Sequence, residues 1–597
     1  VRPLVTLLWN ALRLLLLPGW LVGRALGRHR GGWLVVRVRP RVVELARPAP
    51  RLARYLPWLW PDPPTPLEAL RRLASHVARD ARVDGVLFVL PPLASGWSAA
   101  DGLRRVVDGL RRAGRPTAVY LPQGGGHKEM FVASAADRVL LAPTATLSLL
   151  GLAAEQPYLG TALSRLGVAV EVHARAEYKT AAENLARDAM SDAQREQVTA
   201  LLASIDGALR RALADRPRLG EAGVDAVFER GMFSGRDAVD AGLVDALAYE
   251  DELPLALRAD DAARPVRIRP ALAYYRWHEA RLLRPLRPRP TVAVIPVHGA
   301  IGVGAPPGPL SGGGAGLAPL VAAVRRARRD PSVAGVVLHV DSPGGSALVS
   351  DLVHREVERL AERKPVVACF GNVAASGGYY VAAPAHAIVA SPLSITGSIG
   401  VVSARLVLRG LLDRLGVRTE VIRTAPHADM LSPTRALAPE EHAILEREID
   451  GYYRTFVGVV ARGRRRPFEE VEPLARGRVW SGADAHARGL VDRLGGLDAA
   501  LDEVRGRLPR AIAARVEPAL VIPEGEPGEP PEPRTPPGPA PAGPATTAAA
   551  VAAQALGALG SRLSEWSPAL AELGPLLRLV ARGERVIYLA TGLPRID

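Results

Sequence analysis

Three stretches of the 597-residue chain carry side chains suited to acyl transfer. Ser376 sits in AASGGYY; VDSPGGSALVSDL runs from Val340; EYKTAAEN runs from Glu177. A serine hydroxyl flanked by small residues, just ahead of a helical run, leaves room for a substrate carbonyl. The start of that helix, with the Gly377 N–H, offers hydrogen bonds to a developing oxyanion. Gly344 and Gly345 lie where an apolar strand turns into a helix. Glycines there let backbone N–H groups face a ligand oxygen. A serine followed by glycines is by itself more often a helix cap. The second glycine turn, 376 − 344 = 32 residues upstream, makes the pattern specific.

A serine nucleophile needs a base. The twelve histidines show no pattern, and His386 and His427, in the same half, stand in no recognisable triad setting. Lysine usage is more informative. Of 76 Lys plus Arg residues, only Lys128, Lys179 and Lys364 are lysine. Arginine stays protonated, whereas a buried lysine can become a neutral amine. Lys364, in AERKPVV at a polar helix end, reads as survival by chance. Lys179 reads as a base.

The chain contains itself twice. MFVASAADRVLLAPTATLSLLG from Met130 matches YYVAAPAHAIVASPLSITGSIG from Tyr379, an offset of 379 − 130 = 249. LSRLGVAVEV and LDRLGVRTEV repeat at 412 − 163 = 249, and SGRDAVDAGLVD and SGADAHARGLVD at 481 − 234 = 247. Carried across by 249, Ser376 becomes His127 and Lys179 becomes Ala428. Each half keeps what the other lacks, as one Ser–Lys site built from both would require. His127 and Lys128 then mark a dead counterpart, and Tyr379 and Tyr380 are core or groove wall.

Short apolar runs (TVAVIPV, AGVVLHV, PVVACF) alternate with amphipathic helical stretches, which predicts an α/β fold with mainly parallel strands and crossover helices. The expected organisation is an apolar membrane-anchor segment over 1–34, repeats over 35–265 and 290–510 joined by 266–289, a proline-rich linker over 511–545, and an apolar helical segment over 546–597. The stretch from Leu4 to Leu26 is about long enough to span a bilayer, but Arg13 and Pro18 interrupt it. It is expected to span poorly or to lie in the interface, giving membrane lipid as a partner. The net charge of +15 is spread over the chain with no dense basic block, so nucleic acid is not an expected partner. Cys369, the single cysteine, excludes an internal disulfide and a cysteine-based zinc site.

The motifs EYKTAAENLARDAMS, DSPGGS, AASGGYYVA and TGSIGV, in this order, resemble the signal peptide peptidase A family in its long, duplicated bacterial form. The resemblance spans roughly 40–510. It implies Ser376 as nucleophile, Lys179 as general base, and Ser398 of TGSIG as the hydroxyl that orients the lysine. It further implies tandem crotonase-like or Clp-protease-like domains and a homotetramer. Hydrophobic peptides are the implied substrates, released signal peptides among them. No metal or cofactor is implied, and the implied location is the bacterial inner membrane with the catalytic domains on the periplasmic side. Asp341 departs from the asparagine common at that position. A catalytically silent membrane scaffold and an acyl-CoA hydratase or isomerase of the same fold stay open as alternatives.

If the base must be neutral, Lys179→Arg will be nearly as inactive as Lys179→Ala. A peptide-cleavage assay on both variants checks this, and full activity in the arginine variant would sink the argument.

Overall fold

Runs such as AGVVLHV and PVVACF are β-branched and apolar on both faces, the signature of strands buried in a parallel sheet. A computed structural model shows how they assemble. It describes residues 2–26, 31–46, 63–258, 265–280, 282–283, 289–303, 314–521, 587–589 and 595–596.

The same sheet occurs twice. In the first half, parallel strands run in the order Ala246–Leu247, Arg138–Leu141, Thr117–Leu121, Gly85–Val89, Trp33–Arg37, Ile268–Pro270. In the second half the counterparts keep that order: Arg493–Leu494, Ala387–Ala390, Val366–Ala375, Val333–Ser342, Thr291–His298, Glu517–Leu520. Each half adds one short antiparallel pair, Thr146–Ser148 with Met232–Ser234 and Ile395–Gly397 with Val479–Ser481. The expected duplicated α/β fold is the fold observed.

The compact units do not follow the repeats. One comprises 1–152 and 205–290; the other comprises 153–204 and 291–597. Residues 153–204 of the first repeat, Lys179 included, thus belong to the unit that holds Ser376. Within that unit Ala169–Ala174 pairs antiparallel with Val402–Val407 over six residues, from Ala174 opposite Val402 to Ala169 opposite Val407. Glu171 and Arg405, opposite each other, form an ion pair at 3.0 Å. Gly167 and Gly410 meet backbone to backbone beside this ladder; a Cβ on Gly167 would lie 2.4 Å from the Gly410 carbonyl carbon.

The N-terminal stretch forms two helices, Arg2–Leu14 and Leu17–Leu26. Pro18 falls in the first turn of the second, where it starts a helix but cannot continue one. Among the described residues no helix is long and apolar enough to cross a membrane. Leu7, Trp9, Leu12 and Leu21 are exposed on these helices, and Leu15 and Leu16 on the turn between them. The proline-rich stretch from Glu524 to Ala545 lies outside the described residues, as does most of the segment expected to be helical. Inside the latter, Ile587–Leu589 and Arg595–Ile596 are strands.

Candidate active site

The second-half sheet sets the spacing of the two serines. Val366–Ala375 pairs first with Ala387–Ala390 and then, higher up, with Ile395–Gly397. The upper register places Val373 opposite Ile395, Ala374 opposite Thr396 and Ala375 opposite Gly397. Every pair is 22 apart, for example 397 − 375. Continuing the ladder by one residue brings Ser376 beside Ser398, and the Ser376 N–H donates to the Gly397 carbonyl at 2.8 Å. The step between SGG and TGSIG is thus the register of two parallel strands, which lie about 4.8 Å apart.

Both serines end their strands in a strained backbone. Ser376 has φ 54° and ψ −119°, and Ser398 has φ 50°. A non-glycine residue at positive φ costs about 1–3 kcal/mol and persists where the surroundings impose it. Here the Ser376 hydroxyl turns off the sheet at the start of the helix Gly377–Ala382.

Lys179 completes the cluster. Its Nζ lies 2.8 Å from Ser376 Oγ, 2.9 Å from Ser398 Oγ and 2.9 Å from the Ser398 carbonyl oxygen. Lys179 is 2% exposed and Ser376 0%. Desolvation pushes the lysine pKa well below its ordinary value, and it is the sole cause. Among the described residues no carboxylate compensates the charge, and burial favours the neutral form of the amine.

The glycine turn stands where the motif requires. A Cβ on Gly377 would fall 3.2 Å from the Gly345 nitrogen and 3.3 Å from the Gly344 Cα, so the turn packs directly on the residue after Ser376. Ser342 Oγ accepts from the Gly344 N–H at 3.1 Å and donates to the Gly299 carbonyl at 2.6 Å, which fixes the turn. Gly345 has φ 156°, and a Cβ there would meet the Ile301 carbonyl oxygen at 1.9 Å. Asp341, the departure from the family pattern, accepts from the Val373 N–H at 3.1 Å and from the Asn372 amide at 3.3 Å.

The other singled-out residues stay apart from the cluster. Tyr379 and Tyr380 are fully buried, and their hydroxyls donate to the Leu490 carbonyl and to Asp351. His386 contacts the Val366 backbone, and His427 faces Glu441. In the first half His127 Nε2 accepts from the Gly151 N–H at 3.1 Å. Two residues on, buried Glu129 accepts from the Leu93 N–H at 2.6 Å and the Gly126 N–H at 2.7 Å. Its repeat counterpart is Gly378, at 378 − 129 = 249. A carboxylate therefore occupies backbone donors at the counterpart site.

Residues 476–479 hold the lysine in place, and sequence reasoning missed them. The Arg476 carbonyl accepts from the Tyr178 N–H, the Arg478 carbonyl from the Ser398 N–H, and the Gly477 N–H donates to the Ile399 carbonyl. Gln197, buried, donates to Thr180 Oγ1 at 2.9 Å and accepts from the Val479 N–H at 3.2 Å. These contacts are made largely by backbone atoms, which leave no signature in residue type. Only Gly477 could have signalled them. It has φ 77°, and a Cβ would lie 2.6 Å from the Lys179 nitrogen and Cβ. Gly477→Ala is expected to displace Lys179 and lower kcat at least about 10-fold. Reading kcat against the melting temperature checks this, since a general fold defect would lower both together.

Known proteins can now be set beside this geometry. The model of peptidase family S49 matches residues 110–264 and 358–508, more than half of the chain. The chloroplast serine protease SPPA of Arabidopsis thaliana is 33% identical over 429 residues, 71% of this chain and 63% of that protein. Protease 4 of Salmonella typhi is 34% identical over 437 residues, 71% of this chain and 69% of that protein. A protein of Enterococcus faecium named as a putative signal peptide peptidase SppA is 37% identical over 183 residues, 30% of this chain and 53% of that protein. The chain spans just under two thirds of the chloroplast relative. One family model matching both repeats, and a relative aligned over most of both chains, show that this chain belongs to peptidase family S49.

Proposed function

We propose that the chain is a serine endopeptidase that cuts hydrophobic peptides, released signal peptides among them, with Ser376 as nucleophile and Lys179 as general base. The observation that carries this reading is a buried amine 2.8 Å from a serine oxygen with no acid to charge it. A neutral amine has two N–H bonds and one lone pair. Three oxygens surround Nζ. The two N–H bonds go to the Ser398 carbonyl and Ser398 Oγ, and the lone pair accepts the Ser376 proton. Ser398 thereby aims the lone pair.

The steps follow from that assignment. Ser376 Oγ attacks the peptide carbonyl as its proton passes to Nζ. The oxyanion is stabilised by backbone N–H groups of Gly377 and of the Gly344–Gly345 turn. The C–N bond breaks as Nζ returns the proton to the leaving amine. Water then attacks the acyl ester, giving a proton to Nζ, and the ester C–O bond breaks as Nζ passes that proton to Ser376 Oγ. The exposed apolar side chains of the two N-terminal helices support binding in a membrane interface, near hydrophobic substrates. An extracytoplasmic location and a homotetramer accompany this reading on resemblance alone.

The test is cleavage of a synthetic leucine-rich signal peptide read by mass spectrometry, with Ser376→Ala beside wild type. Cutting by the wild type alone supports the assignment, and equal cutting by both sinks it. Wild-type kcat/KM should fall as pH drops through the depressed lysine pKa, because only the neutral amine is a base. A rate that rises only near pH 10, the ordinary lysine range, would contradict the buried-amine mechanism.

Stability should follow pH in the same direction, over the range above that pKa. Between the folded and unfolded pKa values of Lys179 the unfolded chain binds more protons, so stability rises with pH there. Lys179→Met removes this burden. It is expected to lose about 100- to 10,000-fold in activity and yet to melt higher than wild type at pH 7. The gap in melting temperature should shrink as pH approaches the ordinary lysine value.

A further inference from the structure

Arginine serves in this chain for nearly every cation, and at one place beside the site it does what a lysine could not. Arg478 lies between two aromatic rings. Its guanidinium carbon is 4.7 Å from the centroid of Tyr178 and 4.5 Å from that of Trp480. Tyr178 immediately precedes Lys179, and Trp480 belongs to the strand Val479–Ser481, which pairs with Ile395–Gly397. Glu196, in the helix Asp192–Ala214, closes the group. One of its carboxylate oxygens accepts from the Tyr178 hydroxyl at 2.7 Å, and the other pairs with Arg478 Nη1 at 2.8 Å. Trp480 is itself fixed. Its Nε1 donates to the Leu474 carbonyl at 3.0 Å, and the Arg488 guanidinium carbon stands 4.0 Å from its ring centroid.

The same residue reaches Ser398 by its main chain, where its carbonyl accepts from the Ser398 N–H at 2.7 Å. Both Ser398 oxygens lie 2.9 Å from Lys179 Nζ. Arg478 therefore holds the serine beside the amine through its backbone, and the ring next to the lysine through its guanidinium face. A planar cation can lie flat between two rings and still meet a carboxylate in its own plane; an ammonium on a flexible stem has no such face. The duplication supplies an internal comparison. Arg478 carries over to Gly231 (478 − 247) and Tyr178 to His427 (178 + 249). At the counterpart positions, where alanine stands for the lysine, glycine stands for the arginine and histidine for the tyrosine.

We infer that Arg478 is a positioning residue for the peptidase reaction, its guanidinium a plate between Tyr178 and Trp480 that keeps the Lys179 amine against Ser398 and closed to water. The inference rests on the Ser–Lys reading of the site. Shape, and not charge, is what arginine supplies here. Its charge is matched by Glu196, and burial is the sole cause that lowers the Lys179 pKa. The stack thus controls how tight that burial is. Once the stack loosens, water reaches Nζ, protonation becomes easier and the lone pair loses its aim.

Arg478→Lys keeps the charge and removes the plate, and Tyr178→Leu removes the ring on one side of it. Each is expected to lower kcat for a leucine-rich peptide about tenfold or more, with KM within about twofold of wild type. Each should also move the acid limb of the kcat profile toward higher pH. The double variant should lose little beyond either single one, since both changes break one stack. Wild-type kcat with an unmoved acid limb in Arg478→Lys would overturn the inference, as would losses that multiply in the double variant. Where Arg478→Lys does not fold, Tyr178→Leu carries the same measurements. A second readout needs no catalysis. The gap in melting temperature at pH 7 between chains with Lys179→Met and chains keeping Lys179 reports how strongly the fold disfavours the charged amine. That gap should be narrower in the Arg478→Lys background, and an equal gap overturns the inference even if no peptide is cut. If wild type fails to cut while the gap narrows, the peptidase reading fails and the narrowed gap still supports Arg478 as the residue that seats the amine.

Discussion

An amine kept uncharged and dry beside a serine oxygen is the constraint on which the rest of this unit depends. Burying a lysine without a counter-charge opposes folding, so the surroundings must hold it by packing and by neutral hydrogen bonds. The chain does so with backbone. Arg476 and Arg478 offer carbonyls to the Tyr178 and Ser398 N–H groups, so one short segment grips both the lysine loop and Ser398. Gly477 lets that segment lie against the lysine main chain, and a Cβ on Gly400 would sit 3.2 Å from Lys179 Cδ. Side chains are kept out at both positions because the amine needs solid contact but no charged partner.

The duplication explains how such a site can be divided between repeats without losing precision. Strand register delivers Ser376 and Ser398 together from one sheet, at a separation set by pairing alone. Lys179 arrives on a segment of the first repeat that joins the other compact unit and is fixed there by a six-residue ladder. At the repeat counterpart of Gly378, Glu129 is a buried carboxylate satisfied by two backbone N–H groups.

Signals that live in residue types were legible in the sequence. The apolar runs gave the parallel strands, the repeat gave the duplicated sheet, and the complementary losses at 376 and 179 pointed to two groups that meet at 2.8 Å. Signals that live in the backbone were not. Carbonyls of Arg476 and Arg478 have no side-chain signature, and a glycine in an arginine-rich loop is unremarkable until its neighbour is known. The membership of 153–204 in the second compact unit is a matter of long-range pairing, which composition does not encode. Ile587–Leu589 are good strand formers, but they follow an alanine- and leucine-rich stretch whose pattern is helical.

The surviving lysines show how far an argument from residue choice can reach. On the proposed mechanism Lys179 is accounted for by its proton, since guanidinium cannot surrender one at any pH the fold would meet. Lys364, which sequence reasoning left to chance, has a structural task as well. Its Nζ donates to the carbonyls of Ala327, at 2.7 Å, and Asp330, at 2.6 Å, where the helix Leu317–Arg329 ends. Carbonyls at a helix C-terminus lack helical partners and attract a cation. Two acceptors converging on one point suit a compact ammonium better than a planar fork whose donors diverge. In a chain that uses arginine for nearly every other cation, Lys179 and Lys364 each bring one compact amine to more than one oxygen.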